Sequence, residues 1–175
     1  MNIPIYIASI KNNEDGITCI SLVDSPAVET DFQAFNNQKI LEKLSIVDED
    51  EHIILGPVMI ADMLIYRNSP QLGEYYIKYE AETIKQMAQK MFEDKTYNNI
   101  SLDHNGKEIN GVNLIELFIK DTEKGIDPVG FDEVTNGSLF AKYKVEDSNL
   151  WKQIKNGQFR GFSLEGWFSI DKEQK

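Results

Sequence analysis

Short β-prone runs separated by polar turns dominate this chain, and they limit the folds that it can adopt. We count seven or eight such runs, at residues 3–10, 17–23, 44–47, 52–60, 75–79, 112–119, 139–145 and 159–170. Helical periodicity occurs in only two segments. Because strands and helices do not alternate, a doubly wound parallel sheet is disfavoured. We expect an α+β fold, a mostly antiparallel β-barrel or curled sheet of seven to eight strands with two flanking helices.

Two pairs of neighbouring runs have the spacing of hairpins. Residues 3–10 and 17–23 are joined by a polar loop that ends in Gly16, and Asp24-Ser25-Pro26 stops the second run. The runs at 44–47 and 52–55 flank the acidic turn 48–51. Turn residues between β-prone runs are typical of hairpins, so we expect each pair to be adjacent in one sheet.

The stronger helical segment runs from Ala81 to Asp94. Its apolar side chains recur at helical spacing, and they are Ile84, Met87, Ala88, Met91 and Phe92. A shorter helix begins at Asp147, a good N-cap residue, and ends at Asn156-Gly157. Its core side chains are Leu150, Trp151 and Ile154.

The composition excludes several classes of function. The 175 residues contain 29 Asp and Glu against 18 Lys and Arg, a net charge of −11 that argues against nucleic-acid binding. The single cysteine, Cys19, allows no intrachain disulfide and is expected in the core. No apolar run approaches the ~20 residues that span a bilayer, and the first residues do not resemble a signal peptide. We therefore expect a single cytoplasmic domain over residues 1–175 that binds no membrane.

His104 and Ser163 are the strongest candidates for catalysis. His104 lies where a strand-like stretch enters the turn Asn105-Gly106, and Ser163 lies between Gly161 and Gly166. Serine is a weak nucleophile until a neighbouring base removes its proton, and histidine is the usual base. The pair suits a Ser-His serine protease, although each local sequence also suits a strand serine or a turn histidine without a catalytic role.

A third residue should orient the base, and three acids compete for this role. Glu116 lies in an otherwise apolar strand, where a buried carboxylate needs a partner such as histidine. Glu165 is two residues from Ser163 and so on the same strand face. Asp103 is adjacent to His104 and should point away from it. We select Glu116 and keep Glu165 as its rival.

The remaining polar residues have weaker assignments. Backbone N–H groups near Gly161 or Gly166, with Arg160 or Arg67, could stabilise an oxyanion. His52 follows four consecutive acids, but consecutive acids do not converge on one ion, and the calcium-loop pattern is absent. We expect no metal ion and no cofactor.

Several stretches together point to a family. They are residues 16–29, 56–60, 65–67, 73–76, 98–106 and 157–166. In this order, over almost the whole chain, they resemble the XkdF-like serine proteases of tailed phages, a group of prohead (capsid maturation) proteases. The resemblance implies the β-barrel of herpesvirus assemblin-type proteases, with His104 as base and Ser163 as nucleophile.

The third residue is left open by this resemblance. In related capsid proteases it often lies on a strand after the nucleophile, whereas here only Glu165, Asp171 and Glu173 follow as acids. Either the protease domain is truncated at its C-terminus, or an earlier residue such as Glu116 takes the role.

The resemblance also implies a biological role. It predicts an endopeptidase that cleaves phage scaffolding protein and segments of the major capsid protein during head assembly. The enzyme would act in the host bacterial cytoplasm, inside the assembling prohead, and self-association as a homodimer is expected. The alternative is a catalytically silent structural or scaffolding component that retains the protease fold.

Overall fold

The computed structural model describes residues 3–24 and 44–174, and within them the chain is mostly β. In chain order the strands are β1 (Ile5–Ser9), β2 (Gly16–Val23), β3 (Ser45–Asp48), β4 (Ile53–Met59), β5 (Ile65–Ser69), β6 (Gly73–Lys78), β7 (Ile100–Leu102), β8 (Val112–Ile119), β9 (Leu139–Val145), β10 (Gly161–Trp167) and β11 (Ser169–Lys172). The helices are α1 (Ala81–Glu93) and α2 (Ser148–Lys155), with a short 3₁₀ turn at Thr122–Lys124.

The strands form three separate sheets. Their strand orders are β11-β1-β6-β5, β10-β2-β7 and β3-β4-β9-β8. Most neighbours are antiparallel, but β1 and β6, and also β2 and β7, run parallel. The predicted barrel of seven to eight strands is therefore wrong. Among the described residues there are eleven strands, and none of the three sheets closes on itself.

The predicted hairpin between the first two strands is also wrong. β1 pairs with β11 and β6, whereas β2 pairs with β10 and β7. The run at 159–170, read as one strand, is two strands that pair with β2 and β1 in turn. The chain thus passes from one sheet to another between β1 and β2, and again between β10 and β11. Local patterns cannot reveal such a change of sheet.

The second predicted hairpin is confirmed. β3 pairs antiparallel with β4, with Ile46 opposite Ile54, and the acidic turn connects them. β4 then pairs with β9, and β9 with β8. Two acids of the turn form ion pairs with distant lysines, Glu51 with Lys144 and Glu49 with Lys155.

Both helices are confirmed. The Asp147 carboxylate caps α2 by accepting the backbone N–H groups of Asn149 and Leu150. On α1 the buried stripe is Ile84, Met87 and Met91. The expectation that Phe92 belongs to this stripe is wrong, since Phe92 is 52% exposed and stacks on Tyr97.

One main hydrophobic core draws on all three sheets and on both helices. It includes Ala8 from β1, Ile20 from β2 and Ile54 from β4, together with Met87 and Trp151 from the helices. No helix in the described part of the chain is long and apolar enough to cross a membrane. Because α1 packs against β2, one face of the β10-β2-β7 sheet is covered.

Candidate active site

Three serines lie side by side across the β10-β2-β7 sheet. Ser163 on β10 is opposite Ser21 on β2, and Ser21 is opposite Ser101 on β7. Paired residues of neighbouring strands project to the same face, so the three side chains form one row. Their flanking residues, such as Ile20, Ile100 and Phe162, are buried in the core. Side chains alternate along each strand, so this sheet has one apolar face and carries the row of serines on the other face.

His104 lies at the end of β7, next to this row. The backbone N–H of Asp103 still bonds Leu22 O of β2, and the chain then turns so that Asn105 N bonds Leu102 O. Asp103 and His104 have φ angles of 45° and 53°, in the left-handed region that non-glycine residues rarely adopt. Such strained residues concentrate at functional sites. The expectation that His104 lies at a strand end beside a turn is confirmed.

The Glu165 carboxylate is the centre of a hydrogen-bonded cluster. Its Oε1 lies 3.1 Å from His104 Nδ1, 2.8 Å from Ser21 Oγ and 3.1 Å from Ser101 Oγ. Ser21 Oγ is also 2.5 Å from Ser101 Oγ and 3.3 Å from His104 Nδ1. Glu165, on β10 two residues after Ser163, shares its sheet face. Glu165, the alternative to Glu116, is therefore the carboxylate beside His104.

Opposing effects act on the Glu165 carboxyl. Burial by itself raises its pKa, but hydrogen bonds from Ser21, His104 and Ser101 more than offset this and lower the pKa below its usual value. The carboxylate is thus ionised in the neutral range and can hold a proton on His104 Nδ1.

Ser163 is 8% exposed and lines a pocket of about 40 Å³. The pocket has mostly apolar walls, with Arg67 and Tyr79 as its other polar members. Burial raises the pKa of Tyr79 to about 12, against the effect of the Arg67 charge, so its hydroxyl stays neutral. Among the described residues, no carboxylate pairs with Arg67 and no hydrogen bond joins Ser163 Oγ to His104.

Glu116, our selected third residue, lies elsewhere. It is on β8, in a different sheet, and its side chain is 53% exposed and 2.7 Å from Lys142 Nζ. Glu116 also lines a groove of about 920 Å³ that contains neither His104 nor Ser163. The structure does not bring Glu116 together with His104, because its strand is not buried on both faces and its carboxylate pairs with Lys142.

The other residues that the sequence singled out have separate contacts. Asp103 accepts the backbone N–H of Asp24, and Arg160 donates to Gly157 O. Gly166 permits a close approach of two backbones, because a Cβ there would lie 2.2 Å from Gly16 O. Cys19 is half-buried on the serine-row face, not in the core as expected, and burial raises the pKa of its thiol.

His52 has a structural role. Its Nδ1 lies 3.1 Å from Val145 O, and its ring stacks on Trp151 with the ring centres 4.5 Å apart. Among the described residues, no group of three or more His, Cys, Asp or Glu could hold a metal ion.

Two members of the cluster, Ser21 and Ser101, were missed at the level of sequence. A signal was present, because the tripeptide Ile-Ser-Leu occurs at both 20–22 and 100–102. The two copies lie in register as parallel neighbours. On each strand the serine lies between two apolar residues that face the core, which predicts a polar face. Only the pairing of the two strands brings Ser21 and Ser101 into one row.

Comparison with known families decides where the chain belongs. A family model described as "Putative phage serine protease XkdF" matches residues 39–171. The chain belongs to this family. The matched range contains Ser101, His104, Ser163 and Glu165, whereas Ser21 lies before it. No curated protein and no solved structure matches the chain.

Proposed function

We propose that this protein is a serine endopeptidase in which Ser163 is the nucleophile, His104 the base and Glu165 the residue that orients the base. The observation that carries the proposal is the 3.1 Å contact between Glu165 Oε1 and His104 Nδ1, on the sheet face that Ser163 shares. Membership of a phage serine protease family supports the same reaction class.

The chemistry follows from the protonation of His104. With Nδ1–H donated to Glu165, Nε2 is the nitrogen left to accept the Ser163 proton. Ser21, opposite Ser163, has its Oγ 3.3 Å from Nδ1, and opposite Cβ atoms in a sheet are about 4.5–5.5 Å apart. Ser163 and His104 are thus both neighbours of Ser21.

The reaction would proceed through an acyl-enzyme. Ser163 Oγ transfers its proton to His104 Nε2 and bonds to the scissile carbonyl carbon. The C–N bond then breaks, and the leaving amine takes the proton from Nε2. Water, deprotonated by the same nitrogen, releases the acyl group and restores the serine.

Arg67 is our candidate for stabilising the oxyanion. It lines the same pocket as Ser163, and within the described ranges it forms no ion pair. A cation directed at a developing oxyanion in a partly dry pocket lowers the barrier more than it would in water.

For the biological role we propose prohead maturation. The protein would cleave scaffolding protein and segments of the major capsid protein, as a homodimer inside the assembling prohead in the host cytoplasm. This proposal rests on the resemblance to prohead proteases. Confinement with the substrates would raise their effective concentration, so that a slow enzyme would suffice.

One observation favours a second candidate, a catalytically silent scaffolding component. Ser163 is almost completely buried, and its hydroxyl makes no described hydrogen bond to His104. In a protein that had lost activity, the serine row would serve only to hold the sheet together.

The test begins with covalent labelling of the isolated protein by a fluorophosphonate, with the modified peptide identified by mass spectrometry. Label on Ser163 that is lost in His104→Gln but kept in His52→Gln would support the protease. The two substitutions are matched, since these are the two histidines of the chain. Label on Ser21 or Ser101 would refute Ser163 as nucleophile.

The second arm tests the substrates. The wild type, Ser163→Ala and His52→Gln are each co-expressed with the phage scaffolding and capsid proteins, and the products are analysed by mass spectrometry. We expect cleavage with the wild type and His52→Gln, and intact substrates with Ser163→Ala. Intact substrates and no labelling in all three folded proteins would favour the silent component.

A further inference from the structure

The buried hydroxyls of Ser21 and Ser101 are not used by the reaction just described. Ser21 is fully buried and Ser101 is 1% exposed, in a sheet whose opposite face is core. A buried hydroxyl needs a partner, and a neighbouring backbone carbonyl would be enough. Instead, both hydroxyls lie within hydrogen-bond distance of one carboxylate oxygen, Glu165 Oε1.

Counting protons defines the direction of these bonds. Each hydroxyl has one proton, but three short contacts connect Ser101 Oγ, Ser21 Oγ and Glu165 Oε1. An ionised carboxylate only accepts, and Ser21 Oγ, at 2.8 Å, lies closer to it than Ser101 Oγ, at 3.1 Å, so we assign Ser21 as its donor. The shortest contact, 2.5 Å between the hydroxyls, is then a bond from Ser101 to Ser21. Ser21 therefore accepts one proton and donates another.

We propose that Ser21 and Ser101 are positioning residues: a hydroxyl chain, Ser101 to Ser21 to Glu165, holds the carboxylate with Oε1 directed at His104 Nδ1. The consequence for catalysis rests on the proposed function, but the hydrogen-bonded chain does not. Ser21 donates to the carboxylate and is itself held by Ser101, so residues of two strands restrict a carboxylate that is otherwise 31% exposed and free to rotate.

The other titratable groups near the cluster do not provide this restraint. Within the described ranges they are His104 itself, Cys19 on β2, and Asp103 and Glu108 on the segment after β7. Burial keeps the Cys19 thiol neutral by raising its pKa, and both acids would repel a carboxylate. With His104 as the base, its Nδ1–H gives the carboxylate one hydrogen bond, and the serines supply the remaining stabilisation.

The direction of the effect on titration follows from the contacts. Hydrogen bonds to the ionised form favour it, and the chain that ends in the Ser21 donor lowers the pKa of Glu165 against the effect of burial. Removing either hydroxyl should therefore move the Glu165 titration to higher pH, with the larger effect for Ser21, whose contact is shorter.

The experiment follows the imidazole resonances of the full chain by NMR between neutral and acidic pH. Two histidines give a simple spectrum, and His52 serves as an internal reference. We expect the His104 signal to carry an acidic inflection from Glu165 that Glu165→Gln abolishes. This inflection should move to higher pH in Ser21→Ala and, by less, in Ser101→Ala.

A matched control is Ser138→Ala, which removes another fully buried hydroxyl whose partner is Ala61 N. The inflection should stay in place in this variant even if stability falls. An unchanged inflection in folded Ser21→Ala and Ser101→Ala would overturn the proposal, and so would an equal shift in Ser138→Ala. If Ser21→Ala does not fold, Ser101→Ala alone decides.

The two proposals can fail separately. A shifted inflection in a protein that no fluorophosphonate labels would keep the hydroxyl chain and reject the protease. If the wild type is labelled, we expect the maximal labelling rate to fall about 10–100-fold in Ser21→Ala with its half-saturating concentration unchanged, since one hydrogen bond to a charged group is lost. Labelling of Ser163 without any shift of the inflection would reject only the positioning role.

Discussion

At the scale of single residues, Glu116 and Glu165 differ in their partners. Glu116 and Glu165 both interrupt apolar strands, and each needs a partner if its strand is buried. Glu116 is exposed and has Lys142, whereas Glu165 has His104 and two serines. The alternation of side chains placed Glu165 on the face of Ser163, but nothing local placed His104 there.

The two glutamates provide a matched pair of variants. Under the proposed mechanism, Glu165→Gln should lower kcat by about 10²–10⁴-fold, because an amide cannot stabilise the imidazolium that would form as Ser163 attacks. Glu116→Gln removes a carboxylate of the same size that pairs with Lys142, and it should leave kcat within about twofold. Peptide cleavage or fluorophosphonate labelling measures both, and equal losses in the two variants would contradict the assignment of Glu165.

At the scale of elements, the most informative departure from expectation is the break between β10 and β11. The register with β2 shifts between Glu165 and Gly166, and this bulge directly follows the carboxylate of the cluster. Bulges redirect side chains and bend strands, and they are common beside active sites. Beyond the bulge, Gly166 lies against Gly16, and the chain continues into β11 and the neighbouring sheet.

Gly166→Ala should destabilise the protein through this contact. The new Cβ would lie 2.2 Å from Gly16 O and 2.9 Å from the Phe168 ring, so the backbone must move, at a cost of about 3 kcal/mol. Gly157→Ala is the control. Its Cβ would meet open space, and the positive φ of 73° costs about 1 kcal/mol. Urea denaturation compares them, and equal losses would argue against a close approach at the bulge.

At the scale of the whole molecule, three open sheets share one core. Burial in this core leaves the Tyr143 hydroxyl without a hydrogen-bond partner among the described residues. The residue is completely buried where β9 meets β10, with its ring 5.3 Å from that of Phe162. Its hydroxyl has no hydrogen-bond partner among the described residues, and burial raises its pKa. An unsatisfied buried hydroxyl lowers the stability of the folded state.

Tyr143→Phe should therefore stabilise the protein, by about 1 kcal/mol, because the ring packing is kept and the unpaired hydroxyl is removed. For a chain of this length the melting temperature should rise by roughly 2–4 °C. Differential scanning calorimetry measures it. A lower melting temperature would mean that the hydroxyl has a partner that the described residues do not include.

The sequence by itself determined most of the local elements. The apolar stripe of Ile84, Met87 and Met91 predicts α1, and Asp147 predicts the start of α2. The acidic turn predicts the β3–β4 hairpin. These features depend on neighbours in the chain, so periodicity and capping reveal them. The same holds for His104 at the end of its strand and for Ser163 and Glu165 on one strand face.

Only the tertiary structure decided which strands are neighbours. Ser21, Ser101 and Ser163 come from positions up to 142 residues apart, and hydrogen bonding across β10-β2-β7 places them in one row. That pairing is selected by burial of the apolar faces of distant strands, a property of the whole core rather than of any segment. The same selection replaced the expected barrel by three sheets and placed Glu165, rather than Glu116, beside His104.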